Sequence, residues 1–323
     1  MTTTAGDYAD ATEARPTPPR GRTWSASPFF NELDVLEVKV REQMRWVDVF
    51  VFAESTVTYG GTPKPLLLQE ALAPGGSLVD LAHDVSAAGS QIRVVTVEDD
   101  APHAAPFQPF GDPRRWQREN HQRASLIRGM RDLEPNDVVC VSDLDEIVRG
   151  SLIRGYEEQG WDFITVPPLV MHVASLTHRW WAPIHVIARL CRGSALLPCG
   201  DPTYWTGHCG MTPEELRRMP GMRIEVPPGQ DIAYYGWHLS YMGGTAAIDY
   251  KLREAAHPEM DAPSLRDEAH LAQVAAGEVD LFRRDGRPTV DAPPWTLPDV
   301  IQRDLAGWTK RLEGDVRGVY DPV

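Results

Sequence analysis

Apolar residues along the chain occur either in short runs or at helical spacings. Four largely apolar runs predict β-strands, at residues 24–30, 47–53, 91–97 and 138–141. The second and fourth runs are apolar enough for burial on both faces, as in a parallel sheet covered by helices. The alternation of strands with helical segments predicts an α/β fold with a mostly parallel central sheet.

Helices are predicted between and after these runs. Leu36, Val40 and Met44 recur at four-residue steps, which places them on one helical face. Asn31 is the predicted N-cap of that helix, because its side chain can accept a hydrogen bond from a free backbone N–H. Apolar periodicity also predicts helices at residues 114–132 and 263–277.

The predicted organisation is a single folded domain with two extensions. Residues 1–22 are rich in Thr, Ala, Pro and acidic groups, so we expect them to be disordered. The domain covers residues 23–250 and changes character near residue 150, after which Trp, His, Pro and Gly become frequent, as in a variable substrate-binding half. Residues 251–323 are predicted to form a C-terminal extension of helical and irregular segments.

Charge and hydropathy exclude several classes of protein. The formal net charge of −14 disfavours nucleic-acid binding, which requires a basic surface that releases counterions. No apolar run reaches the ~18 residues that span a bilayer, and the N-terminus shows no signal-peptide pattern. We therefore expect a cytoplasmic protein without a membrane span. The sequence leaves assembly into a homo-oligomer open.

The cysteines are too few and too irregularly spaced for a disulfide framework in a chain of 323 residues. Reduced thiols are expected at Cys140, Cys191, Cys199 and Cys209. Although His208 adjoins one of them, none of the spacings is typical of a zinc site.

The strongest chemical signal is the string SDLDEI, directly after the apolar run at residues 138–141. In open α/β sheets, ligands bind in the crevice beyond the carboxyl ends of the strands. Asp143 and Asp145 are two residues apart, so an extended backbone would direct both to one side and Leu144 to the core. The competing interpretation is a solvated acidic turn that caps a following helix.

Two convergent carboxylates repel each other and resist removal from water. A hard divalent cation removes both costs, because it takes oxygen ligands in near-octahedral geometry. If the cation also bridges two phosphates, it neutralises charge that builds on a nucleoside diphosphate leaving group. Asp143 and Asp145 are therefore candidate metal ligands.

Five blocks stand in a collinear order, namely PFFNELDVLEVKVRE (28–42), VDVFVFAES with YGGTPKPL (47–66), WQRENHQR (116–123), PNDVVCVSDLDEI (135–147) and YGWHLSYMGG (235–244). In this order they resemble glycosyltransferase family 17, the family of bisecting N-acetylglucosaminyltransferases. The resemblance covers roughly residues 24–259 and is loose over residues 166–230. Five blocks in register are far more specific than any one of them.

The resemblance implies a GT-A-like, Rossmann-like domain that transfers a sugar from a UDP-sugar, with inversion at the anomeric carbon. The sugar would be N-acetylglucosamine or a related hexose, and the acceptor a hydroxyl group of a glycan or a small molecule. Residues 23–150 would form the nucleotide-binding half and residues 151–250 the acceptor-binding half. The second half resembles the family least, so it does not identify the acceptor.

A divalent metal, Mn²⁺ or Mg²⁺, is also implied by the resemblance. Asp145 would be the direct ligand, and Asp143 would lie nearer the ribose or a metal-bound water. His238, in GWHLSY, resembles the late histidine that completes the metal and diphosphate site, and imidazole suits manganese better than calcium. A histidine between two apolar residues is also typical of a satisfied core residue.

The nucleotide is expected at the ends of the first two strands. Phe30 and Asn31, in PFFNE, resemble the motif beneath the nucleotide. Glu54, followed by Ser55, resembles the acidic residue that accepts a hydrogen bond from the nucleobase. A carboxylate can accept from the uracil imide N–H, although a buried structural glutamate or a helix cap explains Glu54 equally well.

Polar groups suited to a diphosphate are predicted before the D-x-D strand and in a nearby loop. Arg118, Asn120 and Arg123 lie in WQRENHQR, and arginine binds phosphates through a bidentate fork. Lys64, in GTPKPL, could reach a phosphate from its loop. The alternative is a set of solvated surface charges.

The catalytic base is predicted in the later half of the chain, because the metal holds the D-x-D carboxylates on the leaving-group side. Asp231, just before GWHLSY, is the first candidate, and Asp201 and Glu259 are weaker ones. Candidates for stacking on a sugar or an acceptor are the tryptophans Trp180, Trp181, Trp205 and Trp237.

Two other classes of protein share some of these features. A nucleotidyltransferase acting on a sugar phosphate also holds metal with paired carboxylates. It usually carries a Gly-rich basic loop after its first strand, where this chain has PFFNELD. A non-catalytic sugar-binding protein would explain the ten tryptophans, yet it does not need carboxylates at a buried strand end.

Overall fold

The structure, a computed structural model, describes residues 21–100, 112–156, 158–161, 163–180, 182, 184, 188–197, 210–284 and 289–314. Disorder is predicted for residues 1–22. Residues 1–20 lie outside the described ranges, so the prediction is not tested there. The same holds for several residues named above, which are Trp181, Cys199, Asp201, Trp205, His208 and Cys209.

The strands confirm all four apolar runs, with ends shifted by at most two residues. In chain order they are β1 Thr23–Phe29, β2 Val49–Ser55, β3 Gln91–Val97, β4 Val138–Val141, β5 Glu146–Val148, β6 Thr165–Val166, β7 Val170–Val173, β8 His178–Trp180, β9 Arg189–Arg192, β10 Met222–Arg223, β11 Gly236–Ser240 and β12 Thr289–Asp291.

The helices are α1 Leu33–Gln43, α2 Leu67–Leu72, α3 Val79–Ala87, α4 Pro113–Ala124, α5 Gly150–Arg154, α6 Pro213–Arg218, α7 Gly244–Glu254, α8 Glu268–Ala275, α9 Asp299–Arg303 and α10 Leu305–Glu313. The helix predicted at residues 114–132 ends early and continues as a 3₁₀ turn at Ser125–Gly129. The helix predicted at residues 263–277 is α8, which is shorter at both ends. None of the described helices combines the length and apolar character needed to cross a bilayer.

The first helix begins differently from the prediction. Its N-terminal cap is Glu32, and no side-chain hydrogen bond caps it. The capping role predicted for Asn31 is wrong, because it is the backbone carbonyl of Asn31 that accepts from Leu33 N, at 3.0 Å.

The described residues form one seven-stranded sheet in the order β10-β6-β9-β4-β1-β2-β3. Strand β1 pairs in parallel with β2 and β4, β2 with β3, and β6 with β10. Strand β9 runs antiparallel to β4 and β6. This mainly parallel sheet confirms the predicted α/β class, while the GT-A-like assignment stays a prediction.

The order of the strands fixes where a ligand can bind. The chain moves from β1 outward to β2 and β3, and then returns to the other side of β1 to form β4. At such a switch point the connections leave in opposite directions, so a crevice opens beyond the carboxyl ends of the two strands. The crevice between β1 and β4 lies beside the PFFNE motif and the SDLDEI string.

Both faces of the central sheet are buried. On one face, Phe50 and Phe52 pack with Leu36 of α1 and Leu81 of α3. On the other face, Val51 packs with the 3₁₀ turn after α4 and with α6. Because successive side chains of a strand point to opposite faces, a strand covered on both sides is largely apolar.

A three-stranded sheet, β5-β11-β7, attaches the late motif to the crevice. Strand β11 runs antiparallel to β5, with His238 opposite Glu146. Gly236 begins β11 with a φ of 147°, and a Cβ atom there would lie 2.2 Å from the carbonyl oxygen of Ile147. Glycine therefore lets β11 approach β5, and YGWHLSYMGG comes to lie next to SDLDEI.

The C-terminal helices pack against the first helix. Ile301 of α9 and Trp308 of α10 share a core with Val38 of α1. Arg311 of α10 also pairs with Asp34 of α1 at 2.6 Å. The region beyond residue 250 therefore shares part of its core with the start of the domain.

Glu42, near the end of α1, makes a buried contact with this C-terminal region. Its carboxylate accepts from Asp299 N at 3.0 Å and lies 3.7 Å from Arg149. Burial and repulsion from Asp299 raise the pKa of Glu42 to about 7, although Arg149 opposes the rise. Above its usual pKa of 4.5 and below about 7, the folded protein holds a proton that the unfolded chain releases. This stabilising contribution is complete at low pH and is lost as the pH rises through about 7.

We predict that Glu42→Gln removes this pH dependence. The quantity compared is the free energy of unfolding of the wild type minus that of the variant. This difference should be about 2 kcal/mol smaller at pH 8 than at pH 5. Urea denaturation at the two pH values measures it, with exposed Glu225→Gln as a control that should follow the wild type. A difference that stays constant with pH would contradict a raised pKa for Glu42.

Candidate functional site

The SDLDEI string forms a tight turn between β4 and β5. Glu146 N donates to the carbonyl oxygen of Asp143 at 3.1 Å, so the extended backbone expected here is wrong. Leu144 is 4 % exposed and belongs to the main core, as predicted.

Asp145 lies at the end of this turn between two basic side chains. Its carboxylate is 3.0 Å from Lys251 Nζ and 3.3 Å from His238 Nε2, and its backbone oxygen accepts from Leu239 N at 2.8 Å. Burial opposes ionisation of Asp145, but Lys251 and His238 outweigh it and hold the pKa well below the usual range. Burial also disfavours a charged His238, yet Asp145 raises the pKa of His238 overall. The three side chains therefore form one polar cluster, in which Asp145 is buried and Lys251 is partly exposed.

Asp143 is held on the other side of the turn by Arg123. The Arg123 guanidinium lies 2.6 Å from Asp143 Oδ1, and it also pairs with Glu119 at 2.9 Å and Glu214 at 2.7 Å. Burial disfavours the charged carboxylate of Asp143, but Arg123 and Arg217 together lower its pKa. Arg123 thus positions Asp143, and its contact with a diphosphate stays a prediction.

A buried lysine of α1 fixes the turn from within the fold. Lys39 Nζ lies 2.7 Å from the hydroxyl groups of Ser27 in β1 and Ser142 after β4. It also lies 3.0 Å from the carbonyl oxygens of Asp143 and Glu146. Burial lowers the pKa of Lys39 to about 8, and nearby acidic groups oppose this only in part. The ammonium group thereby joins both strands of the switch point to the D-x-D turn.

Helix α7 packs against the PFFNE motif. Phe30 stacks on Tyr59 and Tyr250, with ring centroids 5.4 Å and 5.8 Å apart. Next to Tyr250 on α7, Lys251 lies 3.3 Å from Glu32. The structure therefore brings the end of β1, the loop that contains Tyr59 and α7 to the same crevice as Asp145.

Glu54, at the end of β2, is buried and caps α2. Its two carboxylate oxygens accept from Leu68 N at 2.8 Å and Gln69 N at 3.2 Å, and Lys64 Nζ lies 3.7 Å away. Burial raises the pKa of Glu54, and these partners oppose the rise. Ser55 beside it accepts from the backbone of the following loop. Glu54 therefore has the helix-capping role that the sequence analysis considered as an alternative. A contact between Glu54 and a nucleobase stays a prediction.

The polar residues of α4 differ in how they are paired. Arg118 pairs with Asp99 at 2.8 Å and donates to the carbonyl oxygen of Tyr59 at 3.2 Å. Asn120 is 7 % exposed, and within the described part of the chain neither polar atom of its amide has a hydrogen-bond partner. An unpaired buried polar group costs about 1–3 kcal/mol, so a ligand that paired with Asn120 would recover this cost.

The predicted base candidates make contacts of their own. Asp231 accepts from both terminal nitrogens of Arg179, at 3.0 and 3.1 Å, and from Ala233 N at 2.8 Å. Exposed Glu259 lies 2.6 Å from His257. These contacts hold Asp231 in the 3₁₀ turn before β11, and its role as a base stays a prediction.

Two of the candidate stacking tryptophans are core residues. Trp237 is fully buried and donates its indole N–H to the carbonyl oxygen of Thr296 at 2.6 Å. The stacking role predicted for Trp237 is wrong, because the ring has no exposed face. Trp180 is 8 % exposed, and the Arg284 guanidinium lies 4.8 Å from its ring centroid.

The structure brings two of the predicted metal ligands, Asp145 and His238, within 3.3 Å of each other. Across the described residues, no three side chains of His, Cys, Asp or Glu approach closely enough to share one ion. A carboxylate with an imidazole fits Mn²⁺ or Mg²⁺ where substrate phosphates supply further ligands. His238 Nδ1 is buried and has no hydrogen-bond partner among the described residues, while Nε2 faces Asp145.

Sequence reasoning missed Lys39 and Lys251. Lys39 had a local signal, because it stands on the apolar stripe of α1 between Leu36 and Val40, where a lysine must be buried. Lys251 had none, since its contact with Asp145 depends on how α7 packs. The pairing of Arg123 with Asp143 and Glu214 was missed for the same reason, whereas its i,i+4 pair with Glu119 on α4 had a local signal.

Comparison with known proteins places the matched part of the chain among the glycosyltransferases. Residues 11–155 match the model of glycosyltransferase family 17, which confirms the resemblance found in the sequence. The matched range contains the PFFNE motif, α4 and the D-x-D turn. The late YGWHLSYMGG block lies beyond it.

The chain is also similar to the β-1,4-mannosyl-glycoprotein 4-β-N-acetylglucosaminyltransferases of mammals. It is 25% identical to the Rattus norvegicus protein over 253 residues, which cover 72% of this chain and 43% of that protein. Against the Homo sapiens protein it is 25% identical over 244 residues, which cover 70% of this chain and 41% of the other. The chain therefore aligns with less than half the length of these relatives.

We predict that Lys39→Met lowers the free energy of unfolding by about 3 kcal/mol. The variant keeps the aliphatic stem but removes the buried ammonium group that contacts four oxygens of β1 and the D-x-D turn. Chemical denaturation measures the change. Lys310→Met on α10 makes the same substitution at an exposed position and should change stability by no more than about 0.5 kcal/mol. Equal stability of the two variants would contradict the role given to Lys39.

Proposed function

We propose that this protein is an inverting glycosyltransferase with a GT-A-like fold, which moves a sugar from a UDP-sugar to a hydroxyl group of a glycan or a small molecule. The activity named for the rat relative supports N-acetylglucosamine, or a related hexose, as the sugar. One observation carries the proposal. Asp143 and Asp145 lie at the crevice between β1 and β4, within the region that matches family 17.

The donor diphosphate is proposed to bind at the D-x-D turn. Asp145 and His238 would hold Mn²⁺ or Mg²⁺, which when bound offsets the negative charge that builds on the diphosphate leaving group. Asp143, oriented by Arg123, is proposed to bind the ribose of the donor. Lys39 keeps the turn in place, so both carboxylates are oriented before the donor arrives.

The uridine part of the donor is proposed to lie along the ends of β1 and β2. A carboxylate has about four lone-pair positions, so Glu54 can cap α2 and still accept the imide N–H of uracil. The unpaired amide of Asn120 supports a polar contact with the nucleotide. The other residues proposed to bind the nucleotide are Phe30, Asn31, Ser55, Lys64, Arg118 and Arg123.

Asp231 is proposed as the general base. It would accept the proton of the acceptor hydroxyl while the new glycosidic bond forms and the bond to the diphosphate breaks. Such a base must lie on the face of the sugar opposite the departing diphosphate. For this role Asp231 would have to leave one of its contacts with Arg179.

We predict that Asp145→Asn weakens Mn²⁺-dependent binding of UDP by about tenfold or more, because it removes the charge that holds the cation. Isothermal titration with UDP, in Mn²⁺ and then in EDTA, measures the effect. Asp84→Asn is the matched control. Asp84 is also ion-paired, to Arg41 at 2.9 Å, but it lies on α3 with a side chain 49% exposed.

The reaction itself is tested with a panel of nucleotide sugars. The wild type with Mn²⁺ should slowly hydrolyse its donor, and UDP-N-acetylglucosamine is expected to be cleaved faster than GDP- or ADP-linked sugars. Asp145→Asn should lose this hydrolysis and Asp84→Asn should keep it. A wild type that binds no nucleotide and cleaves no sugar would contradict the proposed function.

A further inference from the structure

Lys251 is the lysine of the crevice that remains accessible to solvent. Its Nζ lies 3.0 Å from Asp145 and 3.3 Å from Glu32, and its side chain is 22% exposed. The side chain of Lys64 is 1% exposed, and Lys39 is completely enclosed. An ammonium group has three N–H donors, and the described residues offer Lys251 two carboxylates. A further anion can therefore reach Lys251 more readily than it can reach either of the other two lysines.

The crevice needs such a cation. Glu32, Asp143 and Asp145 all line it, and a diphosphate would be repelled by this set of carboxylates. The guanidinium of Arg123 is 1% exposed and already pairs with three carboxylates. Its charge therefore offsets these carboxylates on the buried side of the crevice. On the open side of Asp145, the positive charge comes from Lys251.

The position of Lys251 is fixed by its helix. At the C-terminal end of α7, Glu254 accepts from the hydroxyl groups of Thr58 at 2.6 Å and Thr62 at 3.2 Å. The ring of Tyr241 lies 5.2 Å from Lys251 Nζ, and Tyr241 adopts a left-handed backbone with a φ of 55°. Tyrosine rarely takes this conformation, and such outliers are concentrated at functional sites. The contacts of Glu254 therefore fix the helix that carries Lys251, and the ring of Tyr241 lies beside its ammonium group.

We propose that Lys251 binds the diphosphate of the nucleotide donor, exchanging its ion pair with Asp145 for one with a phosphate oxygen. In the protein without donor, Lys251 keeps the Asp145 carboxylate paired. When the diphosphate enters, Lys251 keeps an anionic partner and Asp145 becomes free for the divalent cation. This inference rests on the proposed function, since it assigns one more residue to the same donor site.

The test compares ligands that differ only in their phosphates. UDP, UMP and uridine are titrated against the protein in Mn²⁺, and the weaker binders are followed by ligand-observed NMR in Mg²⁺. Lys251→Gln should bind UDP about tenfold or more weakly than the wild type and bind uridine unchanged. Lys251→Arg should keep most of the UDP affinity. Arg253→Gln is the matched control, because Arg253 also lies on α7 and pairs with an aspartate, Asp249, at 3.0 Å.

Each outcome decides between the inference and the function on which it rests. If the wild type and Lys251→Gln bind UDP equally, the inference is overturned while the donor site stands. If Lys251→Gln loses affinity for uridine as much as for UDP, the residue shapes the site and does not bind phosphate, which also overturns the inference. If the wild type binds neither UDP nor UMP, the proposed function fails and the inference fails with it.

Discussion

The buried ammonium group of Lys39 is the interaction on which the candidate site depends. It lies where β1 and β4 part, and it contacts Ser27, Ser142 and two carbonyl oxygens of the D-x-D turn within 3.0 Å. A lysine enclosed in this way loses its hydration, so it is stable only where protein oxygens replace water. The same oxygens thereby become fixed, and the turn that carries Asp143 and Asp145 takes one conformation.

Around this lysine the charges are arranged in layers. Lys39 and Arg123 lie behind the two aspartates and are closed to solvent. Lys251 lies in front of Asp145 with part of its side chain exposed. This arrangement explains how a chain of net charge −14 can present a local site for an anionic ligand. The negative field of the whole protein is overcome by a few cations placed at a strand switch point.

Much of the fold could be predicted from the sequence, because apolar runs and helical spacings report burial directly. The D-x-D pair could be found for a related reason, since carboxylates after a buried strand conflict with packing. Contacts between distant elements could not be predicted. Lys251 reaches Asp145 only because α7 packs on the PFFNE motif, and Glu54 caps α2 only because of the path of the loop between them. Asn31 shows that even a local cap depends on where the backbone turns.

The most direct measurement is a crystal structure of the protein grown with UDP and Mn²⁺. The account predicts the nucleotide in the crevice beyond β1 and β4, with the metal on Asp145 and His238 and a diphosphate oxygen in contact with Lys251. A nucleotide bound away from this crevice, with the ion pair between Lys251 and Asp145 undisturbed, would contradict it.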